Sequence, residues 1–370
     1  MPTYVFDSRT ATHHFPGIGR YTRNLAQAIP PLLSADERLC LILPEGFNLD
    51  FPKASNTTLI TSRTTHFSLR QQWNIPSLLS TLHADLYHSP YYLMPYFLKY
   101  PLIVTLYDLI PMHFPRSVSL QTRVLFDMMH RWIIHRAEHI ITPSEATRKD
   151  LSIQFNIPAN NITFIPFGVE ERFKPQPLES KRYLREKYNL LHPYALYLGS
   201  NKPHKNLPRL IEAWALLPRQ VRSHFQLVVA GHWDPRYPIF LPQCTSEVGD
   251  TVRFLGSVPE ADLPGLYAVA ECLVFPSLGE GFGLPVLEAM ACGVPVACSQ
   301  IPALLEIAGE AALYFNPNDT QSMATTLVQL LEDENLRTET RLRGMRSAST
   351  FTWEKTAAKT LDLYQKIVFA

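Results

Sequence analysis

Short apolar runs rich in β-branched and aromatic residues, each followed by a stretch with helical spacing, recur along most of the chain. In the first half they are TYVFD, LCLILP, TLITS, LYHSP, LIVTLYD, HIITPS and ITFIPFG. In the second half they are YALYLGS, FQLVVAG, VRFLGS, CLVFPS, VPVAC and ALYFNP. Runs without polar alternation suit strands of a parallel sheet covered by helices on both faces. Their alternation with segments of 3.6-residue periodicity, such as residues 207–217, is a βαβ signature and predicts an α/β fold. Between the two series, after Gly168, VEERFKPQPLESKRYLREKYNLLHP is polar, charged and proline-containing, as a connection carrying one amphipathic helix would be. Two doubly wound, Rossmann-like domains are expected, residues 1–170 and 171–350. Beyond Asp319 the composition is helical without further strands, and a helix is expected within 351–370. Ligands of such sheets lie outside the carboxyl ends of the strands. The function is therefore expected in a cleft across which the two domains face each other.

Composition narrows the class. With 370 residues and 46% hydrophobic content, the chain exceeds the usual size of one domain. A net charge of +1 gives no global field for nucleic acid, so no nucleic-acid partner is expected. The five cysteines, Cys40, Cys244, Cys272, Cys292 and Cys298, are odd in number and form no CxxC pair, which suits free thiols in a reducing compartment. The start, MPTYVFDSRT, reads as a first strand rather than a signal peptide, and the expected location is cytoplasmic. No apolar run approaches the roughly 20 residues of a spanning helix. The aromatic stretch YYLMPYFLKY at 91–100 is read first as a packed loop. Its sharper reading is an acceptor platform or a contact with the inner face of a membrane, since tyrosines suit surfaces apolar at one end and wet at the other.

The most informative segment is PSLGEGFGLPVLEAMACGVP at 276–295. A buried strand ends in a glycine-rich turn, and Pro285 pre-sets the first turn of a helix. Gly281 and Gly283, with Phe282 between them, let the backbone approach a ligand, and the amide of Leu284 points a donor of partial positive charge toward it. A diphosphate fits such a place. Glu280 is expected on the turn and Glu288 on the helix's first turn, both toward one cleft. Carboxylates accept from vicinal hydroxyls, so Glu288 is assigned the ribose and Glu280 the transferred sugar. The plainer alternative makes Glu288 a complement to the helix dipole and Glu280 a solvated turn residue.

The segment EGFGLPVLE has the E-x7-E spacing and resembles glycosyltransferase family 4, retaining enzymes of the GT-B fold. FPGIGRYTRNL (15–25), ITPSEATRKDL (141–151), IPFGVEERFKP (165–175), GSNKPHKNLPRLIEAW (199–214) and LLEIAGEAALYFNPND (304–319) resemble family segments in family order. The resemblance implies an N-terminal acceptor domain, a C-terminal donor domain and a last helix crossing back to the N-terminal domain. Lys205 matches the family's phosphate-binding lysine, a cation suited to charge building on a departing diphosphate. Where many members carry arginine after the glycine, this chain has Ser200, with Lys202 as the candidate substitute. Gly17 and Gly19 resemble the glycine-rich loop beside the donor phosphates, although GxG spacing also serves ordinary turns. Arg20 is expected in a surface ion pair. At the end of LIVTLYD, Tyr107 and Asp108 stand where relatives have a His-Asp pair whose histidine contacts the sugar. A phenol stays neutral where a histidine could titrate. His88 and His113 nearby are expected to be packed or surface residues.

No Asp-x-Asp pair and no His/Cys cluster with metal-ligand spacing is present, so no metal and no resident cofactor are expected. The co-substrate implied is a nucleotide diphosphate sugar, with UDP-glucose or another UDP-hexose preferred and GDP-mannose second. Val258, in the loop 255–259, is assigned to the base. The acceptor implied is a hydroxyl of a saccharide or lipid-linked saccharide. Two rivals stand beside transfer: a nucleotide-sugar 2-epimerase of the same fold, and a non-catalytic nucleotide-sugar-binding protein, the latter motivated by Tyr107 and Ser200.

Overall fold

The computed structural model describes residues 1–12, 16–47, 55–115, 118–237 and 248–369. Cys244, and Phe15 of the FPGIGRY segment, lie outside the described residues. The other four cysteines are free and buried. The chain divides into two compact units. One comprises Met1–Met112, Ser119–Gly168 and Phe351–Ala370, and the other His113–Val118 and Val169–Thr350.

The first unit holds a parallel sheet in the order β3-β2-β1-β4-β5-β6-β7. Its strands are β1 (Thr3–Asp7), β2 (Arg38–Pro44), β3 (Thr57–Ser62), β4 (Leu86–Ser89), β5 (Leu102–Thr105), β6 (His139–Thr142) and β7 (Ile162–Phe164). Each coincides with one of the apolar runs. Val5, Cys40, Tyr87, Leu102 and Val104 form one core layer, and burial on both faces explains why the central strands β1, β2, β4 and β5 lack polar alternation. The order reverses between β1 and β4, which makes that pair of carboxyl ends the switch point of the sheet.

The last helix, Trp353–Val368, belongs to this unit. It lies against the helix Pro16–Ala28 and is fixed by polar contacts at three points. Thr356 Oγ1 donates to the Pro166 carbonyl at 2.7 Å, Gln365 Nε2 to Glu37 Oε1 at 2.8 Å, and the Tyr364 hydroxyl lies 2.6 Å from His88 Nδ1.

The second unit holds a parallel sheet in the order β10-β9-β8-β11-β12-β13. Its strands are β8 (Tyr194–Leu198), β9 (Gln226–Ala230), β10 (Val252–Gly256), β11 (Cys272–Phe275), β12 (Val296–Ser299) and β13 (Leu313–Phe315). Trp214, Tyr197, Val229, Val274 and Leu327 lie in its core. Here the order reverses between β8 and β11. The connecting segment carries the expected amphipathic helix, Leu178–Lys187, with Leu184 buried.

One difference from the sequence reading concerns continuity. Residues 1–170 do not form one uninterrupted stretch, because His113–Val118 groups with the second unit. The Phe114 ring there lies so close to Gly279 that a Cβ would come within 2.5 Å of it. A contact of that kind, made by one ring far along the chain, leaves no periodic trace.

Candidate active site

At the switch point of the second unit, the loops after β8 and β11 are fastened together before any catalytic side chain is placed. The Leu278 amide donates to the His204 carbonyl at 2.7 Å. Asn206 is buried, adopts left-handed backbone (φ +59°), and sends its Nδ2 to the carbonyls of Pro276 (3.0 Å) and Pro317 (2.8 Å). Asparagine tolerates that conformation and its short amide reaches both strand ends. The sequence reading passed over Asn206, although an Asn immediately before a helix of the form Leu-Pro was a usable signal. Asn201 performs the same fastening toward the next loop, bonding the backbone of Asp234 and Tyr237.

These bonds place Lys205 and Glu280 together. Lys205 Nζ lies 2.6 Å from Glu280 Oε1, with side chains 20% and 10% exposed, and it stands 5.3 Å from the centre of the Phe275 ring. Glu280 is thus not a solvated turn residue. The adjacent His204 is buried, and burial, aided by the Lys205 and Lys202 charges, holds its pKa at about 3. It stays neutral and adds no cation. Ser200 offers its carbonyl to the Tyr197 hydroxyl at 2.7 Å. Lys202 is half-buried, and its charge acts on His204 and Asp234.

The glycine turn has the expected form. Gly283 has φ +120°, and a Cβ there would meet Leu304 Cδ2 at 2.6 Å, so both backbone and packing require glycine. Gly281 and Phe282 are buried beside it. The helix Leu284–Ala291 follows. Pro285 has no N–H, and the amides of Val286 and Leu287 turn back to the Gly283 carbonyl at 3.0 and 3.3 Å. That leaves Leu284 as the first-turn amide not used within the helix, aimed where an anion is favoured.

Glu288 corrects the sequence reading. It is the fifth helical residue, on the second turn rather than the first. It is 2% exposed, and its Oε2 accepts from the Tyr267 hydroxyl at 2.9 Å. Tyr267 comes from the separate helix Leu263–Val269, which no local pattern connects to Glu288. Val258 is half-buried in the loop after the edge strand β10, two strands from β8.

In the first unit, Tyr107 and Asp108 lie just past the end of β5. The Tyr107 hydroxyl donates to the Pro90 carbonyl at 2.9 Å, and its ring meets Tyr21 edge-on at 5.6 Å. Burial first, then the neighbouring tyrosines Tyr21 and Tyr91, pushes its pKa well above the ordinary value. It stays neutral with its proton committed, so toward a ligand it can only accept. Asp108 Oδ1 receives the Ile110 amide at 2.9 Å and starts a short helix, Ile110–His113. His88 is a packed residue, as expected, with Nε2 2.8 Å from Thr105 Oγ1, and His113 is exposed.

Gly17 and Gly19 both lie in the first turn of the helix Pro16–Ala28, but for different reasons. A Cβ on Gly19 would come within 2.6 Å of the Thr12 carbonyl and 3.0 Å of that of Thr10, whereas one on Gly17 would meet nothing within 4 Å among the described residues. Gly19→Ala should therefore lower stability by about 1–3 kcal/mol through overpacking. Gly17→Ala should leave the melting temperature unchanged and reduce kcat/KM if its open face receives a ligand. Thermal unfolding beside steady-state kinetics checks both, and a Gly17→Ala enzyme of full activity would remove Gly17 from the site.

Two parallel Rossmann-like sheets, the second carrying a lysine, a paired glutamate and a free helix amide at its switch point, define a glycosyltransferase of the GT-B type. The family models agree: Glycosyltransferase Family 4 matches residues 16–173 and Glycosyl transferases group 1 matches residues 183–345. The chain is 30% identical to O-antigen chain mannosyltransferase B of Escherichia coli, over 98% of this chain and 99% of that protein. It is also 30% identical to O-antigen chain mannosyltransferase RfbU of Salmonella typhimurium, over 60% of this chain and 59% of that one. Among solved structures, sucrose-phosphate synthase from Thermosynechococcus elongatus superposes with a TM-score of 0.76 at 21% identity, over 99% of both chains. HepE of Anabaena in complex with UDP-glucose gives 0.77 at 18% identity, over 99% of this chain and 100% of that one. These two likenesses bear on fold alone. The protein belongs to glycosyltransferase family 4, and it is an enzyme, a glycosyltransferase. The epimerase and the non-catalytic readings have no support among these relatives.

Proposed function

We propose that the enzyme is a retaining hexosyltransferase that moves mannose from a nucleotide diphosphate donor to a saccharide hydroxyl. The observation that carries this reading is the Lys205–Glu280 pair beside the head of the helix Leu284–Ala291. A diphosphate at the Leu284 amide competes with Glu280 for the Lys205 ammonium. Once Lys205 turns to the phosphate, the Glu280 carboxylate is released to accept from hydroxyls of the hexose. Lys205 and the helix amide then meet the charge that develops as the bond between sugar and phosphate loosens toward an oxocarbenium-like state. The acceptor hydroxyl attacks the face the nucleotide leaves, and the departing phosphate takes its proton. In this reading no metal ion is needed. Glu288, oriented by Tyr267, serves the ribose, and the loop containing Val258 serves the base. The second unit is assigned the donor and the first unit the acceptor, with Tyr107 and Asp108 shaping the backbone after β5.

The expectation from the sequence is UDP-glucose or another UDP-hexose, with GDP-mannose second. The relative aligned over nearly the whole chain is named a mannosyltransferase, and this supports GDP-mannose, the common activated form of that sugar, as the donor of this reading. A thermal-shift panel of GDP, UDP, GDP-mannose and UDP-glucose separates them. A ligand at ~100 times its dissociation constant stabilises the fold by roughly 2.7 kcal/mol. The expected result is a shift with the GDP compounds and mannose transfer from GDP-mannose. A shift confined to UDP compounds restores the glucosyl reading, and no shift with any nucleotide sinks both.

A further inference from the structure

The helix Leu120–Arg136 of the first unit is apolar on its outward face as well as its inward one. Phe126, His130 and Ile133 are buried. On the other side Leu120, Val124, Met128 and Trp132, each four residues on from the last, are exposed. At 1.5 Å per residue this row runs for about 18 Å. A helix turned to water ordinarily carries polar side chains there, and an apolar row of this length marks an interaction surface.

The neighbouring segment extends the surface. Tyr96 stacks on Trp132, with ring centres 5.0 Å apart and planes within 8°, and the exposed Phe97 meets the same indole edge-on at 5.2 Å. Gln72 bonds the Met94 carbonyl at 3.1 Å and the Tyr96 amide at 2.9 Å. Those bonds bring the helix Gln71–Thr81 alongside, where Trp73 and Leu69 are also exposed. Of the enzyme's five tryptophans, Trp73 and Trp132 are 69% and 41% exposed, whereas Trp214 and Trp353 are buried.

Basic groups outnumber acidic ones around this surface, where the carboxylates are Glu138, just past the helix, and Asp127. Arg70, Lys99, Arg123 and Arg131 are exposed beside it. The one carboxylate of the helix, Asp127, is held by Arg131 at 2.9 Å. We infer that this face of the first unit rests on a bilayer surface rich in anionic lipid. Tryptophan and phenylalanine enter the interfacial layer and the flanking arginines and lysine meet lipid phosphates, the combination that holds an amphipathic helix flat on a membrane. No described helix is long and apolar enough to cross a membrane, so the attachment is peripheral. The aromatic stretch at 91–100 serves both as a packed element, through Met94 and Tyr96, and as part of the docking face, through Phe97.

The test is co-sedimentation of the full chain with vesicles of phosphatidylcholine alone and of equimolar phosphatidylcholine and phosphatidylglycerol. Binding is expected to the second and to be weak to the first, with tryptophan emission quenched by brominated lipid. Trp73→Ser/Trp132→Ser should abolish binding while keeping the melting temperature and turnover on a soluble acceptor. Arg123→Gln should weaken partitioning about five-fold. Absence of binding at low salt, or binding that survives both sets of substitutions, overturns the inference. So does a dimer in light scattering that the double substitution dissolves, because the face would then belong to a second copy of the chain.

Discussion

Lys205→Ala is expected to lower turnover about 100- to 1000-fold, the usual consequence of removing one preorganised group that meets charge in the transition state. Affinity for the sugar-free nucleoside should change little, because in the proposed mechanism the ammonium acts on phosphate. The same substitution has a structural effect that must be separated from the chemical one. Glu280 is mostly shielded and its Oε1 lies 2.6 Å from the Lys205 ammonium, so the lysine's removal leaves a partly buried carboxylate without its cation. That costs about 1–3 kcal/mol. Glu280→Gln alone should also depress turnover while nucleotide affinity stays near that of the parent. In Lys205→Ala/Glu280→Gln the neutral amide no longer needs a cation, so stability should return toward wild type while turnover stays low. Calorimetry on the four proteins beside initial rates completes the cycle. If stability and turnover recover together in the double variant, Lys205 and Glu280 are a structural pair and the catalytic assignment fails.

The pairing of Lys205 with Glu280 shows where sequence reading stops. The central strands were legible because they are buried on both faces, so a run such as CLVFPS carries its own burial in its composition. The glycine turn was legible because Gly283 answers a local demand, a positive φ before Leu284-Pro285. Each acid could be named from its spacing in EGFGLPVLE. Their partners could not: Lys205 stands 75 residues from Glu280, and Tyr267 reaches Glu288 from another helix. Such contacts follow from how the sheet stacks its loops, which local periodicity does not encode. The first-turn placement of Glu288 failed for a simpler reason. The helix begins at Leu284, only after the turn at Gly283 is complete, and this puts the acid one turn deeper. Tyr107 was legible as a departure from the family, yet its hydrogen bond to Pro90 was not, because the loop after β4 delivers that carbonyl.

Acidification from pH 7 to pH 5 should destabilise the first unit by about 4 kcal/mol. His88 is fully buried between Tyr364 and Thr105, and burial lowers its pKa to about 3. His130, stacked on Phe126, is lowered by burial to about 4. In the unfolded chain each titrates near 6.5. Between that value and the folded one the unfolded state binds the extra proton, so stability is full above about 6.5 and declines as pH falls toward 4. At pH 5 each histidine accounts for about 2 kcal/mol at 1.36 kcal/mol per pH unit, and His66 and His139 are shifted in the same direction. Asp7 acts lower on the scale. Burial alone would raise its pKa, but the charges of Arg9 and His66 and the hydrogen bonds from Arg9 and Tyr87 outweigh it and hold the carboxyl well below the usual range. Its contribution is intact above about pH 4 and is lost only below that. Urea unfolding at pH 7, 6 and 5 should therefore show a steep fall, and His130→Leu should remove about half of the slope that His88 and His130 together produce. A profile flat over that interval, or an unchanged slope in His130→Leu, would show that these rings are hydrated or charged in the native protein.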